Sequence, residues 1–184
     1  DYYPPLGTAE QLKADLHELE RLDLTPLESP EPELTYLFKH LVTLEVGYES
    51  IAYATRAQLH GQYARYLESA YPDQIDQLAP QLAHHFERAQ IQDKACYYLM
   101  KAGEQAAASY ANEEALTYFN RALKLMAVED TRGQFEILLK REQVYDLLGK
   151  RNEQRQDLDG LTQLVDQFDD APILRAQIGI RRAK

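Results

Sequence analysis

Residues 95–126 read ACYYLMKAGEQAAASYANEEALTYFNRALKLM. In this run Gly103, Ala115, Phe119 and Ala122 stand at offsets 0, 12, 16 and 19. The spacing predicts a helix–turn–helix unit. Small side chains let two antiparallel helices approach closely, and Phe119 fills the gap between them. Asn112 is the expected N-cap of the second helix, with Glu113 and Glu114 at its positive end. Such a scaffold offers a binding surface and no chemistry of its own.

Towards the N-terminus, Thr8 and Gln11 form a capping box that opens a first helix, with Leu12, Leu16, Leu19 and Leu22 as its stripe. The period then changes. Residues 22–26 and 34–38 are expected to be two short strands of a hairpin around the proline-bearing stretch 28–33, where helix is forbidden. Helical spacing returns through Leu41, Leu44, Tyr48 and Ile51. Thr55 with Gln58 makes a second capping box, and Leu59, Tyr63, Tyr66, Leu67 and Tyr71 follow on an apolar face that Pro72 ends. Asp73 is expected to cap a helix reaching Ala89, and Asp93 another reaching Ser109.

Beyond the central run, Asp130 starts a long helix that Gly149 closes. Gln154 stands where a small alanine is expected, so the unit after Gly149 reads as degenerate. Leu158, Leu161, Leu164, Val165 and Phe168 still form a stripe, and Pro172 suits the first turn of a last helix. Arg181, Arg182 and Lys184 read as a solvated basic end.

The spacing in 95–126 resembles a tetratricopeptide repeat. The runs FKHLVTLEVGYESI (38–51), LHGQYARYLE (59–68), LAHHF (82–86) and YDLLGKRNEQRQDL (145–158) resemble, in that order, the segment after the ATPase core of STAND-type signalling ATPases. That group includes multidomain nucleotidyl cyclases and large LuxR-type or maltose-activator-like regulators. The resemblance implies an all-α fold with antiparallel helix pairs stacked as a right-handed solenoid, plus a small β-hairpin near the N-terminus. It implies three segments: 1–7 as a linker or disordered start, 8–72 as the end of a winged-helix element with connecting helices, and 73–184 as repeats. It also implies a regulatory role in sensing a partner and signalling to a nucleotide-binding core.

Composition narrows the alternatives. Net charge is −10, with 5 Lys/Arg against 12 Asp/Glu in residues 1–72 and 15 against 18 in residues 73–184. An acidic surface repels phosphate backbones, which disfavours nucleic acid and with it the rival reading as a winged-helix DNA-binding regulator. No apolar run approaches the length of a membrane span. The single cysteine, Cys96, can form no internal disulfide, reads as a buried small hydrophobe, and points to a reducing cytoplasm. The start, DYYPPLG, has neither an initiating Met nor a signal pattern and reads as a cut within a longer protein.

No catalytic, cofactor or metal residue is expected. Adjacent His84 and His85 point about 100° apart on a helix, so a helical enzyme built around them is the least favoured reading. No phosphate loop and no nucleophile elbow is present. Carboxylates are expected on solvated helix faces. The expected groove positions are Tyr97, Met100, Glu104 and Ala108 on one helix, then Glu136, Leu139, Gln143 and Asp146 on the next. Tyr97, Met100, Glu104, Glu136, Gln143 and Asp146 are the candidates for contact with a protein or peptide partner, or with other domains of a parent chain. Self-association through exposed apolar ends is a further expectation.

Overall fold

Thr8 and Gln11 satisfy each other's backbone at the first helix start. Gln11 N donates to Thr8 Oγ1 at 3.2 Å, and Thr8 N donates to Gln11 Oε1 at 2.9 Å. In the computed structural model, which describes residues 8–29, 35–168 and 171–182, the chain is mostly helical. It divides into two compact units, Asp1–Leu59 and His60–Lys184.

In the first unit, α1 (Ala9–Arg21) follows that capping box, with Leu12, Leu16 and Leu19 half-buried. The expected strand at 22–26 is absent. Leu22 is the C-cap and Asp23 turns left-handed (φ 58°), closed by Leu24 N donating to Leu19 O at 3.0 Å. Two residues of the anticipated strand are thus used to end the helix. Strand β1 (Leu27–Ser29) pairs antiparallel with β2 (Thr35–Tyr36), Leu27 opposite Tyr36. The connection at 30–34 and the start at 1–7 lie outside the described residues. Helix α2 (Leu41–Ser50) takes up the helical spacing read there but buries no side chain: Leu41 and Leu44 are exposed, and Tyr48 and Ile51 are half-buried. Helix α3 (Tyr53–Ala70) begins ahead of Thr55, which places Thr55 and Gln58 inside it rather than at a cap.

The second unit continues through a single 3-10 turn at Pro72–Gln74 into α4 (Ala79–Arg88). The helix expected from Asp73 starts six residues later. Pro80 lacks an N–H and would strike the carbonyl four residues back, yet fits a first turn. Then come α5 (Gln92–Ala108), α6 (Asn112–Leu125), α7 (Thr131–Leu147), α8 (Arg151–Val165) and α9 (Pro172–Arg182). From α4 onward each helix packs on its successor. Asp130 caps α7, its Oδ1 accepting from Gly133 N at 2.8 Å, whereas Asp93 caps nothing because Ile91 is the N-cap of α5.

Three of the connections share one geometry. The middle residue of α4–α5, α5–α6 and α7–α8 is left-handed: Gln90, Tyr110 and Gly149, at φ of 59°, 60° and 66°. Each is closed by the next residue's N–H reaching back five positions: Ile91 to Phe86 O at 3.0 Å, Ala111 to Ala106 O at 2.8 Å, and Lys150 to Tyr145 O at 2.9 Å. The same closure displaces the expected cap of α6. Ala111 is its N-cap, and Asn112 lies inside the helix with Oδ1 buried and without a hydrogen-bond partner. Only Gly149 of the three is free of a Cβ penalty. Tyr110 is 83% exposed, so little packing is lost on truncation. Tyr110→Gly should therefore stabilise the protein by about 0.5–1 kcal/mol, and Tyr110→Ala, which keeps the Cβ, should not. Urea midpoints of both variants check this.

Two apolar clusters meet across α7. The first holds Leu82, Phe86, Leu99, Phe119, Ile137 and Val144, with Phe86 stacked on Tyr98 at 5.6 Å between centroids. Ala83, Ala95, Ala115 and Ala122 are wholly buried in it, where helices cross. Gly103 belongs to the same crossing. A Cβ there would meet Phe119 Cε1 at 2.6 Å, so the ring occupies the volume the glycine leaves. The second cluster holds Phe135, Leu158, Leu161, Leu164, Val165 and Ile178.

Between α7, α8 and α9 the expectation of solvated carboxylates fails. Glu142 and Asp157 are 1% and 2% exposed. Arg141 Nε donates to Asp157 Oδ2 at 2.9 Å, and its Nη1 donates to Asn120 Oδ1 at 2.6 Å. Gln154 Nε2 and Arg181 Nη1 donate to the two oxygens of Glu142, at 2.7 and 2.6 Å. Gln154 is thus no degenerate alanine; it completes a buried carboxylate. The basic end is also engaged, since Arg182 donates to Asp159, to Thr162 Oγ1 at 3.1 Å and to Leu158 O at 3.3 Å. Lys184 lies outside the described residues. Burial pulls the Arg141 guanidinium down, but the Asp157 carboxylate more than offsets this and holds it above its usual value.

Candidate interaction cleft

Helix α5 and the α6–α7 connection enclose an open cleft of about 580 Å³, with Tyr97, Met100, Glu104 and Glu136 among its lining. Four of the six sequence-derived groove residues are therefore brought together. Gln143 and Asp146 are not part of it. They follow Glu136 by about two and three turns of α7, and Asp146 pairs with Arg151 instead. Of the two other groove positions, Leu139 packs against the second apolar cluster and Ala108 is exposed.

Cleft chemistry is mixed. Tyr97 is 53% exposed and presents its ring, over which Lys101 Nζ stands at 5.6 Å from the centroid. Lys101 also pairs with Asp76 at 2.6 Å, and Glu104 with Lys140 at 2.9 Å. Met100, Leu125 and Met126 line it with apolar atoms, and Asp93 and Asp130 add carboxylates. Cys96 is buried in the wall, its thiol donating to Ala122 O at 3.6 Å. Burial first, then Asp93, Asp130 and Glu87, push that thiol upward in pKa, which keeps it in the unreactive protonated form.

A second cleft of about 540 Å³ opens beside the first along α7, and Glu136 borders both. Arg132, Phe135, Phe168, Ile173 and Leu174 line it, with Arg132 over the Phe168 ring at 5.6 Å. None of these was singled out as a binding position from sequence. Ile173, 72% exposed, sits between Pro172 and Leu174 in the sequence, so no local signal marks it as a surface contact.

No family model, curated protein or solved structure matches the chain. The geometry of these clefts is therefore what bears on function.

The histidines form a separate cluster. His60 Nδ1 lies 2.7 Å from His85 Nδ1, and the His84 ring is 5.9 Å from His60. The hydrogen bond needs one ring nitrogen bearing hydrogen and the other bare. Among the described residues no group of three or more His, Cys, Asp or Glu is placed to hold a metal ion. Burial, then the neighbouring His60 and His84, lowers the His85 pKa to about 4. Burial, then Arg88 and Arg121, also lowers that of His84. Free imidazole titrates near 6.5, so the unfolded chain takes up the proton first as pH falls. Stability from a neutral His85 is complete above about pH 6.5 and is lost between there and about pH 4. His85 is half-exposed, and screening reduces the effect to about 1 kcal/mol. Urea titrations at pH 7.5 and pH 5 should show a smaller loss in His85→Gln than in the parent chain.

Proposed function

We propose that this chain is a non-catalytic helical-repeat module that binds a protein or peptide partner, or other domains of its parent chain. In this reading α4–α9 are stacked pairs of a right-handed tetratricopeptide-like solenoid, and β1 and β2 are the wing of a winged-helix element preceding it. The module belongs to a cytoplasmic STAND-type signalling ATPase, a nucleotidyl cyclase or a transcriptional regulator, and relays partner binding to the nucleotide-binding core. The observation that carries the reading is the cleft along α5 and α7, where Tyr97, Met100, Glu104 and Glu136 converge beside the Gly103–Phe119 crossing. Among the described residues no helix is long and apolar enough to cross a membrane, which suits this role.

Measuring ATP binding and hydrolysis by the chain alone tests the non-catalytic part. The expected result is neither; appreciable turnover would contradict it.

A further inference from the structure

The two clefts differ in kind, and the difference selects an occupant. Four carboxylates line the first, Asp93, Glu104, Asp130 and Glu136, against the one ammonium of Lys101. Lys101 and Glu104 are already engaged with Asp76 and Lys140, and Asp130 gives one oxygen to the α7 backbone. Among the described residues Asp93 and Glu136 have no ion-pair partner, so the cleft keeps uncompensated negative charge. Its apolar lining is adaptable: Met100 and Met126 re-pack around a side chain, and the Tyr97 ring accepts a cation, as Lys101 demonstrates. Beyond Glu136 the lining among the described residues turns largely apolar, with Phe135, Phe168, Ile173 and Leu174, and its one cation, Arg132, rests over the Phe168 ring.

Resting on the interaction reading above, we infer that these clefts take one polypeptide segment, which places a lysine or arginine against Glu136 and Asp93 and an adjacent aliphatic or aromatic side chain between Phe168 and Ile173. Charge complementarity decides the class. An acidic peptide or a nucleic-acid phosphate would set like charges together. A polyamine would satisfy the first cleft and leave the second without an occupant.

Phage-displayed random dodecapeptides selected on the whole chain, followed by fluorescence anisotropy of an enriched peptide, test this. Enriched sequences should carry Lys or Arg beside Leu, Ile, Phe or Met. Glu136→Lys should weaken binding at least about tenfold and Tyr97→Ala about threefold to tenfold, while Glu153→Lys, exposed on α8, should change it less than about twofold. Circular dichroism melts of the variants confirm that each is folded. An acidic consensus that still depends on Tyr97 would overturn the charge assignment and leave the interaction reading standing. Displacement of the peptide by spermine without any effect at Phe168→Ala would overturn the polypeptide assignment. Enriched peptides indifferent to both cleft variants, or no enrichment at all, would overturn the inference and the interaction reading together.

Discussion

Gly103→Ala should destabilise the protein by about 2–3 kcal/mol, although alanine is the better helix former by about 1 kcal/mol. The added methyl meets Phe119 Cε1 at 2.6 Å, and Phe119 is 1% exposed within the first cluster. A buried ring hemmed in by other side chains cannot swing away as a flexible surface side chain could. Overpacking therefore outweighs the gain in propensity. A second substitution isolates the cause. Phe119→Leu creates its own loss, but in combination with Gly103→Ala the two should be less harmful than their sum, because the shorter side chain vacates the clash. Chemical denaturation of the four chains measures the coupling, and strict additivity would show that the contact is not responsible.

The second large effect is expected at Asp157. Truncation to alanine leaves the Arg141 guanidinium, which cannot shed its proton, in a site that is largely closed to water. Removing one partner of a buried pair costs about 3–5 kcal/mol, and the low end applies here because Arg141 keeps its bond to Asn120. Replacing both, Arg141→Met with Asp157→Leu, should come within about 1 kcal/mol of the parent, since desolvation is then no longer needed. Thermal melts separate the outcomes: a large loss in the single variant and near-recovery in the double.

Much of the architecture was legible where geometry leaves a local mark. Gly103 and Phe119 are informative because a missing side chain and a large ring must face each other where helices cross, and Gly149 because only glycine turns left-handed without strain. Gln90 and Tyr110 adopt the same turn against their preference, held by the helices on either side, and so gave no local signal. The strand placed at 22–26 failed because β-like composition there was overridden by closure of α1. Glu142 and Asp157 read as solvated, since a charged residue is ordinarily exposed and their partners arrive from other helices: Arg181, 39 positions away from Glu142, and Arg141, 16 away from Asp157. His60 and His85, 25 positions apart, are hidden for the same reason. The cleft was partly legible. Helical period selects which face of α5 and α7 is presented, and so finds Tyr97, Met100, Glu104 and Glu136. It does not say where along α7 the neighbouring elements leave space, and so Gln143 and Asp146 were included while Phe168 and Ile173 were not.

From α4 to α9 each helix is held chiefly by its neighbours in the chain, which leaves a face free for contact. Hydrogen exchange of Asp157→Ala against the parent chain tests it most directly. In a stack of nearest-neighbour interfaces, protection should fall in α8 and α9 and stay at parental values in α5 and α6. A uniform fall across all helices from α4 to α9, with a single opening free energy, would mean one cooperative globule and not a stack of separable interfaces.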